Sequence, residues 1–248
     1  MQKAPAKLTL SLRITGVRPD GYHEIDAEMV TVDLADELAF VPRPSTSLQI
    51  EDLTSGGLPV TTGPDNLVAR ALLALGCTAS VHILKRIPAG AGLGGGSADA
   101  AAVYRWARRT SPSDVVASAA LGADVPFCIL GGRARVTGIG EVVELLPAID
   151  HVFTLLVPPF GVSTPAVYRT WDALGGPCGP GVNDLESAAL HVEPRLREWR
   201  DRLGEATGRT PVLAGSGGAW FVEGAFPGEG RIVTATSRRA DLPVERAT

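Results

Sequence analysis

Apolar and polar residues alternate through much of the first forty positions. Lys7-Leu8-Thr9-Leu10-Ser11-Leu12-Arg13-Ile14 keeps a period of two, which predicts a strand with one face in a core, and residues 28–40 keep it again. Between them Arg18-Pro19-Asp20-Gly21-Tyr22-His23 predicts a turn, since proline presets φ and glycine accepts a positive one. From Pro64-Asp65-Asn66 the spacing becomes helical through Ala74, and Ser80-Val81-His82-Ile83-Leu84 returns to alternation. Residues 98–109 read as a helix: the alanines cost least there, Asp99 suits the first turn, and Arg105, Arg108 and Arg109 suit the far end of the dipole. Ser97 is the expected cap. Asp114 is expected to introduce a further helical run over 115–121, and residues 122–146 predict short strands separated by Gly131-Gly132 and Gly138-Ile139-Gly140.

A second block begins near His151. Val152-Phe153-Thr154-Leu155-Leu156-Val157 predicts a buried strand, residues 164–174 and 184–203 predict helices, and Val212-Leu213 leads through a glycine stretch into Ala219-Trp220-Phe221-Val222. The polar tail from Arg238 is expected to fray. Strands and helices without strict βαβ alternation predict an α+β fold, divided near residue 148 into 1–148 and 149–248.

Composition narrows the classes. The chain has 248 residues, 45% hydrophobic and 20% charged, with a net charge of −4, which is ordinary soluble protein without the basic footprint of a nucleic-acid binder. The Arg108-Arg109 and Arg238-Arg239 pairs read as solvated helix or tail positions. Met1-Gln2-Lys3-Ala4-Pro5 has no signal-peptide core and no apolar stretch approaches a membrane span, so a cytoplasmic protein without membrane partners is expected. Cys77, Cys128 and Cys178 show no CxxC spacing and are expected to be buried free thiols. His23, His82, His151 and His191 show no ligand spacing, so a metal held by protein side chains alone is not expected.

Against this background the stretch Pro88-Ala89-Gly90-Ala91-Gly92-Leu93-Gly94-Gly95-Gly96-Ser97 stands out. Glycine loses the most entropy on folding, so such density implies a turn too tight for a Cβ or a ligand touching the backbone. A strand before it and a helix after it favour the ligand: loop amides and helix-start amides converge, and phosphate oxygens are their natural guest. A P-loop is excluded because no lysine closes the loop. Gly90-Ala91-Gly92-Leu93-Gly94-Gly95 matches GxGxxG, yet the turn Thr110-Ser111-Pro112-Ser113-Asp114 and another helix follow where a dinucleotide fold needs a strand.

Several motifs then fall in one order. Pro5-Ala6-Lys7, the Arg18 to Glu24 segment, the glycine stretch, Leu121-Gly122-Ala123-Asp124-Val125-Pro126-Phe127, Gly140-Glu141, Gly161-Val162-Ser163-Thr164-Pro165, Asn183-Asp184-Leu185-Glu186 and Gly215-Ser216-Gly217 together resemble the GHMP kinases. These are the small-molecule ATP kinases that include galactokinase, homoserine kinase and mevalonate kinase. Within them the chain resembles, from about residue 4 to 223, the 4-diphosphocytidyl-2-C-methyl-D-erythritol kinase family. The resemblance implies a two-lobed fold with ATP and substrate in the cleft, and transfer of the ATP γ-phosphoryl group to the 2-hydroxyl of that cytidylyl sugar alcohol. It implies Lys7 and Asp124 as the catalytic pair, the aspartate orienting or deprotonating the hydroxyl beside the lysine. For ATP it implies Asn66, Lys85, Pro88, Gly90, Gly92, Leu93, Gly94, Gly95, Gly96 and Ser97. Ser97 is also a candidate contact for Mg2+, itself expected mainly on ATP oxygens. For the substrate, which carries a cytidine diphosphate group, it implies Tyr22 and Tyr168 around the base and His23 hydrogen-bonding it, with Thr9, Asp124, Thr164, Pro165, Gly215, Ser216 and Gly217 completing the site. A monomer or weak dimer is expected.

Two departures qualify the match: Thr9 stands where the family usually has asparagine, and Leu213-Ala214 where Met-Ser is more usual. They bear on rate and acceptor geometry. The alternatives that the sequence leaves are a sister kinase acting on homoserine or mevalonate and a non-catalytic GHMP-fold ligand sensor.

Overall fold

The computed structural model describes residues 1–54, 58–177, 179 and 181–238. The alternating amino-terminal residues form β1 (Gln2–Val17), and the Pro-Asp-Gly turn returns the chain antiparallel as β2 (His23–Pro42). Next come β3 (Ser47–Asp52), α1 (Leu67–Ala74) and β4 (Ala79–Lys85), with β3 and β4 paired in parallel. Helices α2 (Gly95–Trp106), α3 (Pro112–Ser118) and α4 (Val125–Leu130) precede the antiparallel pair β5 (Arg133–Gly138) and β6 (Val142–Leu146). The rest comprises β7 (Val152–Leu156), α5 (Thr164–Ala173), α6 (Glu186–Val192), α7 (Leu196–Thr207), β8 (Val212–Leu213), β9 (Trp220–Glu223) and β10 (Arg231–Ala235).

The long strand β2 organises the first sheet. β1 lies along one edge, and on the opposite edge β5 pairs with residues 25–30 and β4 with residues 37–42. Between those two partners Val32 bridges Thr236, and Asp33 accepts from the Thr234 hydroxyl and the Ala235 amide. That stitching docks the second sheet, ordered β10-β7-β9-β8, onto the first. At the seam a hydrophobic cluster gathers Leu8, Val30, Ile87, Ala91, Leu93, Phe153, Ala214 and Phe221. Burying each large side chain here contributes roughly 1.5–3 kcal/mol, so the glycine loop, through Ala91 and Leu93, is anchored by both sheets.

Local structure departs from the sequence expectations at several points. Residues 122–146 were expected as strands alone, but Val125–Leu130 is a helix, because a short apolar run carries no period that separates the two states. The helical run expected over 184–203 is two helices: Glu193 at the break has φ −135 and ψ 86, the extended conformation that Pro194 imposes on its predecessor. The helix after Thr110 starts earlier than expected. Ser111 caps it, and Asp114 closes a capping box from inside. Among the described residues no helix is long and apolar enough to cross a membrane. Cys77 and Cys128 are free, but only Cys128 is buried, which pushes its thiol up to about 12; Cys77, just past the end of α1, is half-buried, while Cys178 and the tail from 239 lie outside the described residues.

Candidate active site

The loop between β4 and α2 is held by its carbonyls. Ala89 accepts from the Leu58 amide (2.9 Å), Ala91 from Ala219 (2.9 Å), Leu93 from Lys7 (3.0 Å) and Gly94 from Ala98 (2.8 Å). The amides of Gly92 through Ser97, by contrast, have no acceptor among the described residues. The last three belong to the first turn of α2, where unpaired N–H groups carry the positive end of the helix dipole. Tethered carbonyls with free amides make a preformed anion cradle. The cap itself is a correction: Gly94, at φ 70, precedes the helix, and Ser97 lies inside it.

The second glycine motif packs directly against the first. A Cβ on Gly217 would fall on the backbone nitrogen and Cα of Gly92, and a Cβ on Gly92 would meet the Ala214 carbonyl. Neighbouring elements fix the motif from two sides. Asn183 donates through Nδ2 to the carbonyls of Leu213 (2.9 Å) and Gly215 (2.7 Å), and the hydroxyls of Ser216 and Thr164 share a hydrogen bond of 2.8 Å at the start of α5, where Pro165 follows.

Lys7 threads between the two motifs. The ladder with β2 is irregular between Pro5 and Lys7, the extra residues lying on β2, and the lysine amide donates to the Leu93 carbonyl. Its aliphatic stem runs past Gly94, where a Cβ would stand 2.7 Å from Lys7 Cγ. Lys7 Nζ donates to Thr9 Oγ1 at 3.0 Å and pairs with Asp124 Oδ2 at 3.5 Å. The threonine therefore still supplies an oxygen beside the amine. Asp124 is the first residue before α4, yet its carboxylate makes no capping bond and keeps a partly open face at 30% exposure.

Of the ring candidates, the structure brings Tyr168 within reach of that carboxylate's charge and sets His23 beside Tyr168. His23 and Tyr168 rings lie 4.8 Å apart, and Trp171 meets His23 edge-on at 5.6 Å. Burial, with the Asp124 charge adding to it, pushes the Tyr168 phenol up to about 12, so it stays a neutral donor. Asp172 accepts from or pairs with His23 Nε2 at 2.8 Å, which leaves Nδ1 for another partner. Tyr22 is exposed and makes no ring contact among the described residues.

Three of the residues expected to contact ATP are otherwise engaged or differently placed. Asn66 caps α1, accepting from Val68 N (2.8 Å) and donating to Thr61 O (2.7 Å). Pro88 is buried at the loop entrance. Lys85 does not present a free ammonium: it is buried between Asp36 and Asp99, pairing with both. Burial works to lower the Lys85 pKa, but the Asp99 and Asp36 charges outweigh it and the net direction is up. Burial likewise raises Asp99, to about 7, against the opposing pull of Lys85. Asp36, Asp99, Asp172 and Asn183 escaped sequence reasoning as site neighbours, because their partners lie 14 to 149 positions away.

Residues 66–132 match the GHMP kinases N terminal domain. The chain is 36% identical to the 4-diphosphocytidyl-2-C-methyl-D-erythritol kinase of Paracoccus denitrificans (strain Pd 1222), the match covering 96% of this chain and 91% of that one. The enzyme of the same name from Moorella thermoacetica (strain ATCC 39073 / JCM 9320) is 36% identical, covering 88% and 87%. A crystal structure of 4-(cytidine 5'-diphospho)-2C-methyl-D-erythritol kinase superposes with a TM-score of 0.72 at 33% identity, covering 95% of this chain and 99% of that one. With its two interlocked glycine motifs and lysine–aspartate pair at their edge, this chain belongs to the 4-diphosphocytidyl-2-C-methyl-D-erythritol kinase family of the GHMP kinases.

Proposed function

We propose that this chain transfers the γ-phosphoryl group of ATP to the 2-hydroxyl of 4-diphosphocytidyl-2-C-methyl-D-erythritol, a step in non-mevalonate isoprenoid precursor synthesis. The observation that carries this reading is the Lys7–Asp124 pair, at 3.5 Å, standing beside a loop whose amides from Gly92 to Ser97 are free. Phosphoryl transfer asks for in-line positioning and charge stabilisation rather than covalent help, and those are what the two features supply. The amides hold the phosphate oxygens. Asp124 orients the acceptor hydroxyl and takes its proton as the new oxygen–phosphorus bond forms and the bond to the departing ADP breaks. Lys7, paired with that carboxylate, offers its positive charge to the transferred oxygens.

Tyr22, His23 and Tyr168 are the proposed grip on the cytosine, stacking and a directional hydrogen bond being suited to a flat heterocycle. Asp172 would fix the ring orientation of His23. For Mg2+, no group of three acidic, histidine or cysteine side chains converges among the described residues, so the ion would ride on the phosphates with the Ser97 hydroxyl as its protein contact. When bound it neutralises charge on the phosphate oxygens.

A coupled assay of ADP release against a panel of alcohols tests the function. Turnover is expected with 4-diphosphocytidyl-2-C-methyl-D-erythritol, with the phosphorus of the product coupled to position 2 by NMR. Turnover of homoserine or mevalonate in its place would move the chain to a sister activity.

A further inference from the structure

Three charged side chains that the transfer chemistry does not use meet beneath the glycine loop. Asp36, Lys85 and Asp99 are 0%, 2% and 4% exposed. Asp36 Oδ1 accepts from the amides of Arg86 (2.5 Å) and Ile87 (2.9 Å), the first two residues after β4 and thus the loop entrance. Its other oxygen takes a hydrogen bond from Lys85 Nζ, and the same Nζ donates to Asp99 Oδ2 at 2.6 Å, in the helix that the loop enters. The second Asp99 oxygen is buried without a partner among the described residues.

Burying an ammonium and two carboxyl groups is costly: effective penalties run to several kcal/mol per ion, and well-packed apolar residues of similar volume often do as well or better for stability alone. What apolar residues would not supply is direction. The Asp36 carboxylate fixes two backbone amides on one side of the loop, Asp99 marks the other side, and a single ammonium measures the distance between them. We propose that Asp36, Lys85 and Asp99 form a positioning strut that clamps the entrance and exit of the glycine loop, so that its free amides converge before a nucleotide arrives. Lys85 then acts through the loop rather than on the phosphates. The benefit is preorganisation, which lowers the ordering cost of binding. This inference rests on the ATP reading above for its purpose, but not for its geometry.

The test uses the full chain with Asp99→Asn and Asp99→Ala, and reads amide hydrogen exchange without nucleotide at the donors that hold the loop: Lys7, Ile87, Ala98 and Ala219. Exchange at these four is expected to accelerate by about threefold in the asparagine variant and about tenfold in the alanine variant, with amides of β7 and β9 unmoved, since local opening is read separately from global opening. The KM for ATP is expected to rise in the same order while the KM for the cytidylyl alcohol stays constant. Acceleration spread evenly over both sheets, or loop amides unchanged in both variants, would overturn the strut. Should the alanine variant fail to fold, the asparagine variant alone decides by the same readouts. A parent chain that binds no ATP, yet shows the ordered loop response, would remove the kinase reading and leave the strut standing.

Discussion

Asp124→Asn is expected to lower kcat by about 10³-fold while leaving ATP affinity within about threefold of the parent, because a positioned acid–base group contributes typically 10²–10⁴ in rate. The substitution keeps shape and removes the charge. The 3.5 Å contact to Lys7 then becomes a weak amide–ammonium contact, and the acceptor hydroxyl loses its proton acceptor. Lys7→Met is expected to be comparably damaging, and the double variant little worse than either single one, since residues that act as a unit are strongly non-additive. Steady-state kinetics with calorimetric ATP binding separates the two quantities. If Asp124→Asn retained more than a tenth of parental turnover, the carboxylate would be a neighbour of the reaction and not a participant.

The second large effect is structural and concerns the contact between the two glycine motifs. Gly217→Ala is expected to destabilise the chain by about 3 kcal/mol or more, at the upper end of overpacking costs, because the atoms a methyl would strike are backbone and have no rotamer to escape through. For a chain of this size that corresponds to a fall in Tm of roughly 6–12 °C. ATP affinity is expected to fall with it, since Gly92 must move and carries the following amides with it. Gly208→Ala provides the control. At φ +65 it sits at the end of α7 with nothing within 4 Å of its would-be Cβ, so only the left-handed backbone penalty of about 1–2 kcal/mol applies. Equal losses in the two variants, measured by calorimetry, would show that the interlocking of the motifs carries no special weight.

Much of this arrangement could be read from residues alone, for identifiable reasons. β1 and the start of the second block declare themselves because one face of each strand is buried and the other is not, which writes a period of two into the chain. The glycine loop declares itself because glycine density has few physical causes. Lys7 and Asp124 were legible only as members of an ordered set of motifs; neither residue type is informative alone. What stayed hidden depends on long-range contacts. Nothing local marks Asp36 as the acceptor for amides fifty positions later, or Asp172 as the partner of His23, or Asn183 as the brace of Gly215. Lys85 is instructive in the other direction: the family resemblance implied an ATP contact for it, whereas its neighbours in three dimensions are two buried carboxylates. The residues of α4 were read as strand because Val-Pro-Phe-Cys-Ile-Leu is apolar on every side, and tertiary packing against α2 decides its state.

The most direct measurement is the response of individual backbone amides to nucleotide. Titrating a non-hydrolysable ATP analogue into the nitrogen-15-labelled chain should move the resonances of Gly92 through Ser97 first and furthest, with the Lys7 side chain close behind. A titration in which those amides stay still, while residues around the open groove lined by Arg200, Glu205 and Arg209 respond instead, would contradict the account.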